Sequence, residues 1–381
     1  MKLNIENYQR IVVKIGSSLL VEDNQIREKW LTEFAKDVKE LIEKKIELII
    51  VTSGAVALGR SIIANKTLKK LSVEQKQACA SIGQIKLMST YHQIFKKHQL
   101  NVAQILLTAN DCNSRKSYLN CQNTINALIK NNAIAIINEN DSVAVDEIKI
   151  GDNDRLASRV AQMTNADLLI LFSDIDGLFD KNPKTHKNAQ FISQVNKIDK
   201  NIENMAKGSS SSVGTGGMIT KIQAAKMALN ANCPTVITSG IENKALQKLF
   251  FSEKKFTIFC KKDSKNINQN QSTKSKKNWL SGIVNPKGTL IINELASQTL
   301  QQKKASLLAV GVIAVQGNFV KGDVVFVKDK KNQHIASGIV NYSKSDAEKI
   351  LKKNSQQIKK IFGNKAKSEL VHLDNLVIIS Q

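Results

Sequence analysis

The chain has 381 residues, 42% of them apolar, which is enough for one large hydrophobic core and a second, smaller domain. Residues 1–10 are polar, and the short apolar run after them contains Lys14, so neither a signal peptide nor a membrane span is predicted. We therefore expect a cytoplasmic protein that does not enter the membrane.

The formal charge is +23, from 56 basic against 33 acidic residues. The surplus is mostly lysine. Nucleic-acid-binding proteins use mainly arginine for bidentate hydrogen bonds to phosphates and bases. Compositional drift over the exposed surface therefore explains the charge better than nucleic-acid binding does. The five cysteines are scattered without a CxxC motif, which favours buried thiols in a reducing compartment and predicts no metal site.

From residue 11 to about residue 259, short apolar runs alternate with longer amphipathic stretches, which predicts helices packed on a mostly parallel sheet. Between the first two runs, apolar residues recur at helical spacing and predict a helix that covers the sheet. These residues are Trp30, Phe34, Val38, Leu41 and Ile42. The predicted strands are residues 11–15, 48–51, 103–107, 134–137, 168–172 and 235–237.

Residues 261–277 are rich in lysine, serine, asparagine and glutamine and predict a linker between a first domain, residues 1–260, and a second, residues 278–381. The second domain has short apolar runs punctuated by glycine, as in a small β-barrel. These runs are residues 290–292, 310–315, 323–327 and 335–342. An amphipathic segment, residues 345–362, precedes a last apolar run at residues 376–379.

Two glycine turns, each paired with a lysine, predict a site for a triphosphate. In the first, Lys14 ends an apolar run and is followed by Gly16 and Ser17; in the second, residues 214–217 lead into a helix that carries Lys221. Glycine lets backbone N–H groups approach phosphate oxygens, and an ammonium group neutralises phosphate charge. The chain contains no GxxxxGK[ST] motif, so such a site is not a Walker-type loop.

Polar residues follow several predicted strands, and the carboxyl ends of parallel strands meet at one edge, where ligands bind. Two acidic, amide-rich segments, residues 138–141 and 151–154, flank a predicted hairpin at residues 143–150. For any single Asn or Asp, turn formation is about as good an explanation as a functional role. The whole group, next to a triphosphate site, favours a binding site for the substrate that accepts the phosphoryl group. A carboxylate acceptor suits this site because it is already ionised and needs no base.

Five motifs in this order resemble the glutamate 5-kinase family of the amino-acid kinase superfamily. They are Val-Val-Lys-Ile-Gly-Ser-Ser, Val-Thr-Ser-Gly-Ala, Ile-Asn-Glu-Asn-Asp, Lys-Ile-Gly-Asp-Asn-Asp and Gly-Thr-Gly-Gly-Met-Ile-Thr-Lys, between residues 11 and 221. Residues 315–319, Val-Gln-Gly-Asn-Phe, resemble part of a PUA domain. The resemblance implies a three-layer α/β/α sandwich with a mainly parallel sheet, followed by a small PUA domain like a β-barrel.

The resemblance also implies a reaction, in which ATP and L-glutamate give ADP and L-glutamyl 5-phosphate in the first step of proline biosynthesis. Mg²⁺ would be carried with the nucleotide. By this resemblance Lys14 binds the transferring phosphoryl group, Lys221 stabilises the β,γ-bridge, and Asp152 holds the two ammonium groups in position. The implied glutamate-binding residues are Ser53, Asp141 and Asn153. The implied ATP-binding residues are Lys14, Gly16, Ser17, Ser173, Asp174, Thr215, Gly216, Gly217, Met218, Ile219, Thr220 and Lys221.

The family is inhibited by proline and forms dimers or tetramers, so the resemblance implies both properties here. Two alternatives stay open at this point. One is a related kinase that acts on aspartate, acetylglutamate or carbamate. The other is an RNA-binding factor that works through the PUA-like domain, against which the motifs of the first domain argue.

Overall fold

The computed structural model describes residues 3–63, 71–143, 153–183, 185–206, 217–261, 279–280, 286–302, 305–363 and 366–379. The chain divides into two compact units, residues 1–266 and 267–381. The predicted hairpin at 143–150 and the predicted linker at 261–277 lie almost entirely outside the described residues, and both stay predictions.

The first unit is built on an eight-stranded sheet with two small hairpins beside it. Its strands are β1 (Arg10–Lys14), β2 (Val21–Glu22), β3 (Gln25–Ile26), β4 (Glu47–Val51), β5 (Asn101–Leu107), β6 (Ala133–Glu139), β7 (Leu168–Ser173), β8 (Leu178–Phe179), β9 (Phe191–Ile192), β10 (Gln194–Val195), β11 (Thr235–Ser239) and β12 (Phe256–Phe259). The order in the large sheet is β10-β12-β11-β7-β1-β4-β6-β5, and only β11 and β12 pair antiparallel among the described strands of this sheet. The six predicted strands are thus confirmed.

Helices cover both faces of this sheet. They are α1 (Ser17–Leu20), α2 (Glu28–Glu43), α3 (Ala55–Ile63), α4 (Val73–Lys97), α5 (Ala109–Asn113), α6 (Arg115–Lys130), α7 (Asn153–Thr164), α8 (Lys200–Ala206), α9 (Met218–Asn230) and α10 (Ala245–Phe251). Helices α2, α4 and α10 share one hydrophobic core with β1, β4 and β7. Helices α6, α7 and α9 pack against one another and against β6, β1 and β11. The predicted three-layer sandwich is therefore confirmed.

Helix α2 is the covering helix that the apolar spacing predicts. Trp30, Phe34, Val38 and Leu41 are buried on its sheet-facing side, and the rings of Trp30 and Phe34 stack with centroids 5.4 Å apart. The indole N–H of Trp30 donates to the carbonyl oxygen of Gly240 at 2.7 Å. Since Gly240 follows β11, this bond ties α2 to the edge of the sheet where the strands end.

Helices α3 and α4 pack unusually closely because two glycines face the contact. A Cβ atom on Gly59 would lie 1.9 Å from the carbonyl oxygen of Cys79, and one on Gly83 would lie 1.8 Å from that of Ala55. No side chain fits at either distance, so the close approach depends on glycine at both positions. The contact places α4 directly against the turn that joins β4 to α3.

The second unit contains a six-stranded sheet that curls into a half-barrel. Its strands are β13 (Gly288–Ile292), β14 (Leu307–Leu308), β15 (Val312–Gly317), β16 (Val324–Lys328), β17 (His334–Val340) and β18 (Glu369–Ile378), in the order β14-β18-β17-β16-β13-β15. Its helices are α11 (Glu294–Gln302), α12 (Lys344–Ile350) and α13 (Ser355–Phe362). The amphipathic segment predicted at residues 345–362 is therefore two helices. Lys352 adopts a positive φ of 60° between them, and the side chain of Asn354 caps the start of α13.

Candidate active site

The carboxyl ends of five parallel strands lie at one edge of the large sheet. Strand β1 ends at Lys14, β4 runs into Ser53, β6 into Asp141 and β7 into Asp174, and β11 lies beside β7. The parallel pairing of β1 with both β4 and β7 puts these residues on neighbouring strand ends. The edge where ligands bind in open α/β sheets therefore carries the predicted site residues.

Two lysines from distant parts of the chain meet at one carboxylate. Lys14 Nζ lies 2.6 Å from Oδ1 of Asp154, and Lys221 Nζ lies 3.0 Å from Oδ2. Lys14 is 5% exposed, Lys221 6% and Asp154 0%. The hydroxyl of Thr220 lies 3.2 Å from the same Oδ2. Helices α7 and α9 pack side by side, and this packing brings Asp154 and Lys221 together.

The charge of Asp154 is stabilised by these lysines. Burial by itself would raise the pKa of its carboxyl group, but the charges and hydrogen bonds of Lys14 and Lys221 hold the pKa well below its usual range. Asp154 thus stays ionised at neutral pH. Among the described residues, two ammonium groups share the carboxylate of Asp154 at the end of β1, and such a pair of cations suits a polyphosphate.

By the family resemblance, the role of holding the two ammonium groups falls to Asp152, which lies outside the described residues. In the part of the chain that the structure describes, the carboxylate in contact with both lysines belongs to Asp154. Asp154 stands in the same Gly-Asp-Asn-Asp motif, but the sequence analysis gave it no role. Asp154 is the second residue of α7, a helix that is buried from Leu156 to Thr164.

The predicted glutamate-binding residues Ser53 and Asn153 are in direct contact. The two N–H groups of the Asn153 side-chain amide are shared among three acceptors, since its Nδ2 lies 2.9 Å from Ser53 Oγ, 2.5 Å from the carbonyl oxygen of Thr52 and 2.8 Å from Oδ1 of Asn138. Asp141 lies two residues beyond the end of β6 and is half-buried. Asn153 and Asp154 are neighbours at the start of α7, where successive residues point about 100° apart. One therefore contacts the Ser53 side and the other the lysines.

Asn138 is a site residue that the sequence analysis did not assign. It is 3% exposed and is the second-last residue of β6. It accepts hydrogen bonds from Asn153 and from the backbone N–H of Glu139, the latter at 2.9 Å. It belongs to the Asn-Glu-Asn-Asp segment that was predicted to be part of the site. The strand alternation could have indicated that it faces the neighbouring strand end.

The predicted nucleotide segments lie at the same edge. Ser173 ends β7, its hydroxyl donates to Asp174 at 3.2 Å, and its carbonyl oxygen accepts from the backbone N–H of Gly240 at 2.8 Å. Gly217 directly precedes α9, whose first four residues, Met218, Ile219, Thr220 and Lys221, are all predicted ATP-binding residues. Thr215 and Gly216 lie outside the described residues.

Gly16 leaves room beside the Lys14 ammonium group. A Cβ atom on Gly16 would lie 3.8 Å from Lys14 Nζ, in ordinary van der Waals contact. Its φ of −73° is open to any residue, so neither backbone strain nor collision requires glycine here. Ser17 begins the short helix α1 directly after it. A side chain at this position would occupy the space beside the Lys14 ammonium group.

Two further features of the described residues concern metal ions and membranes. No group of three or more His, Cys, Asp or Glu side chains in this part of the chain is arranged to bind a metal ion. Within the same residues, every helix is too short or too polar to cross a lipid bilayer.

Comparison with known proteins places the chain in a family. The family model of the amino acid kinase family matches residues 9–239, and that of the PUA domain matches residues 288–362. A protein named Glutamate 5-kinase from Pelagibacter ubique is 47% identical over 368 residues, which cover 96% of this chain and 97% of that protein. Proteins of the same name from Bartonella henselae and Carboxydothermus hydrogenoformans are 42% and 40% identical, over 98% and 100% of this chain and 96% and 100% of theirs. The chain therefore belongs to the amino acid kinase family, in the glutamate 5-kinase group, and carries a C-terminal PUA domain.

Proposed function

We propose that this enzyme transfers the γ-phosphoryl group of ATP to the γ-carboxylate of L-glutamate. The products are ADP and L-glutamyl 5-phosphate, and the reaction is the first step of proline biosynthesis. Membership of the amino acid kinase family and near full-length similarity to glutamate 5-kinases support this assignment. The structural observation that carries it is the buried group of Lys14, Asp154 and Lys221 next to the Ser53–Asn153 contact.

On the phosphate side, catalysis consists of cancelling negative charge. The attacking carboxylate and the γ-phosphoryl group are both anions, and the leaving ADP gains charge as the bond breaks. Lys14 stabilises the transferring phosphoryl group and Lys221 the β,γ-bridge, while Asp154 fixes the positions of both ammonium groups before the nucleotide binds. Backbone N–H groups of Gly16 and Ser17 and of the start of α9 donate to the phosphates.

On the acceptor side, no general base is needed. A glutamate γ-carboxyl group has a pKa near 4.3 in its unperturbed state, so it is ionised at neutral pH and attacks directly. Asp141 supplies a counter-charge for the α-ammonium group of glutamate. Ser53 and the N–H groups after it suit the carboxylates, and Asn153 holds Ser53 through its side-chain amide. Asn153 and Asp154 are consecutive, so the acceptor and phosphate sides are joined through one turn of α7.

Mg²⁺ enters this proposal as an ion bound to the nucleotide phosphates. It would screen the charge on the phosphate oxygens that the lysines do not contact. The two ammonium groups fit this arrangement, because they contact phosphate oxygens without competing for the metal ion. Within the described ranges, the carboxylate of Asp154 is already in contact with both lysines.

The direct test is an assay of the purified chain with ATP and Mg²⁺ and each candidate acid, with hydroxylamine present to trap the acyl phosphate. We expect a hydroxamate with L-glutamate, and much less with aspartate, acetylglutamate or carbamate. Hydroxamate formation from one of the other acids, with none from glutamate, would overturn the substrate assignment and leave the phosphotransferase assignment intact.

Three further properties are carried over from the family as part of the proposal. They are inhibition by proline, assembly into dimers or tetramers, and a cytoplasmic location, where ATP and free glutamate are available. RNA binding by the PUA domain is not part of it. Phe319, an aromatic residue of the PUA domain, is 2% exposed and packs in the core of the second unit, so its ring is not available to stack on bases.

A further inference from the structure

A chain of side-chain amides leads from Ser53 to helix α4. Asn153 donates to both Ser53 Oγ and Asn138 Oδ1, and the amide nitrogen of Asn138 donates to Oε1 of Gln84 at 2.8 Å. Gln84 follows Gly83, the residue at which α4 meets the carbonyl oxygen of Ala55. Gln84 is thus held against the turn after β4 by backbone packing as well as by its own hydrogen bond.

The orientation of every amide in this chain is determined by its chemistry. The backbone N–H of Glu139 can only donate, and it points at Oδ1 of Asn138. The opposite side of the Asn138 amide therefore carries its NH₂ group, which requires an acceptor. Gln84 must present Oε1 to Asn138, so its own NH₂ group is turned away from the chain.

This NH₂ group has no acceptor. Gln84 Nε2 is buried and makes no hydrogen bond to any described residue. Buried amide nitrogens in proteins almost always have a partner, and an exception calls for an explanation such as a missing ligand. The Ser53 hydroxyl adds a second donor, because its oxygen accepts from Asn153 and its proton is left to point elsewhere.

We propose that Gln84 binds the acceptor amino acid, with its amide N–H groups donating to a carboxylate oxygen of glutamate. An NH₂ group can only donate, so it attracts a carboxylate and does not suit the ammonium group, for which Asp141 is the proposed counter-charge. Gln84 and Ser53 are the two ends of one amide chain, and both offer donors to the same acid. This inference rests on the proposed function.

The discriminating variant is Gln84→Glu. A glutamate side chain has the same length and can still accept from Asn138, so the amide chain to Asn153 stays intact. It loses the NH₂ donor and turns an oxygen with negative charge towards the substrate carboxylate. We expect the KM for glutamate to rise at least about tenfold, the KM for ATP to stay within about twofold, and glutamate binding measured by calorimetry without ATP to weaken in parallel.

Gln93→Glu is the matched control, because it adds the same charge to an exposed position of α4. Gln84→Met removes the donor without adding charge and replaces Gln84→Glu if that variant does not fold. A glutamate KM within about twofold of wild type, in whichever of the two variants folds, overturns the inference. If the wild-type chain forms no hydroxamate from glutamate, the proposed function fails instead, and the two failures are distinguishable.

Discussion

The ammonium nitrogen of Lys14 lies 2.6 Å from Oδ1 of Asp154, and both side chains are almost completely buried. Asp154 also contacts Lys221, so a single carboxylate fixes two cations that are far apart in the sequence of the first unit. Removing one partner of a buried ion pair typically costs about 3–5 kcal/mol, because the other charge is left unpaired. Loss of any one of these three charges should therefore destabilise the fold as well as the site.

Replacing Asp154 by Asn should lower kcat without raising the KM for ATP. The two lysines lose the carboxylate that orients them, so kcat should fall by about 10²-fold or more. The extra positive charge should keep the KM for ATP unchanged or lower it. Steady-state kinetics with varied ATP, together with a thermal melt, measures both effects. Glu22→Gln, at a side chain that is 75% exposed, is the control for loss of a carboxylate, and a normal kcat in Asp154→Asn would contradict the role.

Lys14→Ala and Lys221→Ala should each reduce kcat by about 10²- to 10³-fold, the effect typical of losing a charged contact to the transition state. The double variant should lose less than the product of the two, because both lysines act on the same phosphate chain. Lys226→Ala is a matched control on α9, since Lys226 is 53% exposed and pairs with Glu203. Turnover near the wild-type level in either single variant would remove that lysine from the mechanism.

The sequence predicts well which residues lie at the edge of the sheet, because buried parallel strands have a recognisable sequence pattern. Each strand is an apolar run, and the first polar residue after it marks the point where the chain leaves the sheet. Lys14 is the exception, since it lies inside the run, yet its turn glycine still indicated the site. Strands β10 and β12 were not predicted, because one has two residues and the other follows a short helix near the end of the unit.

Other features depend on rotation and packing that spacing does not determine. Two aspartates stand in Gly-Asp-Asn-Asp, and only the start and rotation of α7 decide that Asp154 points at the lysines. The apolar positions of α12 and α13 continue at nearly helical spacing through Lys352, so periodicity alone could not reveal the break between these helices. The role of Gln84 depends on an α3–α4 contact that no linear motif contains.

Asp141→Asn should raise the KM for glutamate by roughly 10- to 100-fold, because the site loses its counter-charge for the ammonium group. The KM for ATP should not change. Glutarate, which is glutamate without its amino group, provides the control. The substitution should not lower the rate at which the enzyme phosphorylates glutarate. Kinetics with both acids would test this, and a glutamate KM within about twofold of wild type would mean that Asp141 does not contact the ammonium group.

Asp37 should make the first unit less stable as the pH rises. It is 3% exposed and accepts hydrogen bonds from the backbone N–H groups of Leu246 and Gln247 at 3.0 and 3.3 Å. Burial raises its pKa from 3.8 to about 6, although these two bonds act in the opposite direction. Since the folded chain binds the proton more tightly, its contribution is complete below pH 3.8 and is lost as the pH rises through about 6.

Asp37→Asn should remove this pH dependence while keeping an oxygen for the N–H group of Leu246. The change in pKa corresponds to at most about 3 kcal/mol. The difference in Tm between wild type and variant should therefore shift in favour of the variant between pH 4 and pH 7. Melts at a series of pH values measure it. A difference that is constant over this range would show that Asp37 has an ordinary pKa.

Gly16→Ala should leave the fold intact and weaken ATP binding. The φ of Gly16 is −73°, and an added Cβ atom would meet its nearest neighbours at 3.8–3.9 Å, so the free chain accommodates alanine without strain. The methyl group would occupy the space beside Lys14 Nζ that we assign to a phosphate. We expect an unchanged Tm without nucleotide, a higher KM for ATP, and a smaller rise in Tm when ATP is added.

Gly83→Ala is the contrasting variant, because its Cβ atom would lie 1.8 Å from the carbonyl oxygen of Ala55 and would force α3 and α4 apart. It should lower the Tm without nucleotide, by the mechanism of overpacking, which typically costs about 1–3 kcal/mol. The two variants can thus be distinguished by their effects. Gly83→Ala should destabilise the free protein, whereas Gly16→Ala should affect only the complex with nucleotide. Gly16→Ala with a normal ATP KM would place the phosphates away from Lys14, and the proposed mechanism would then lose its first cation.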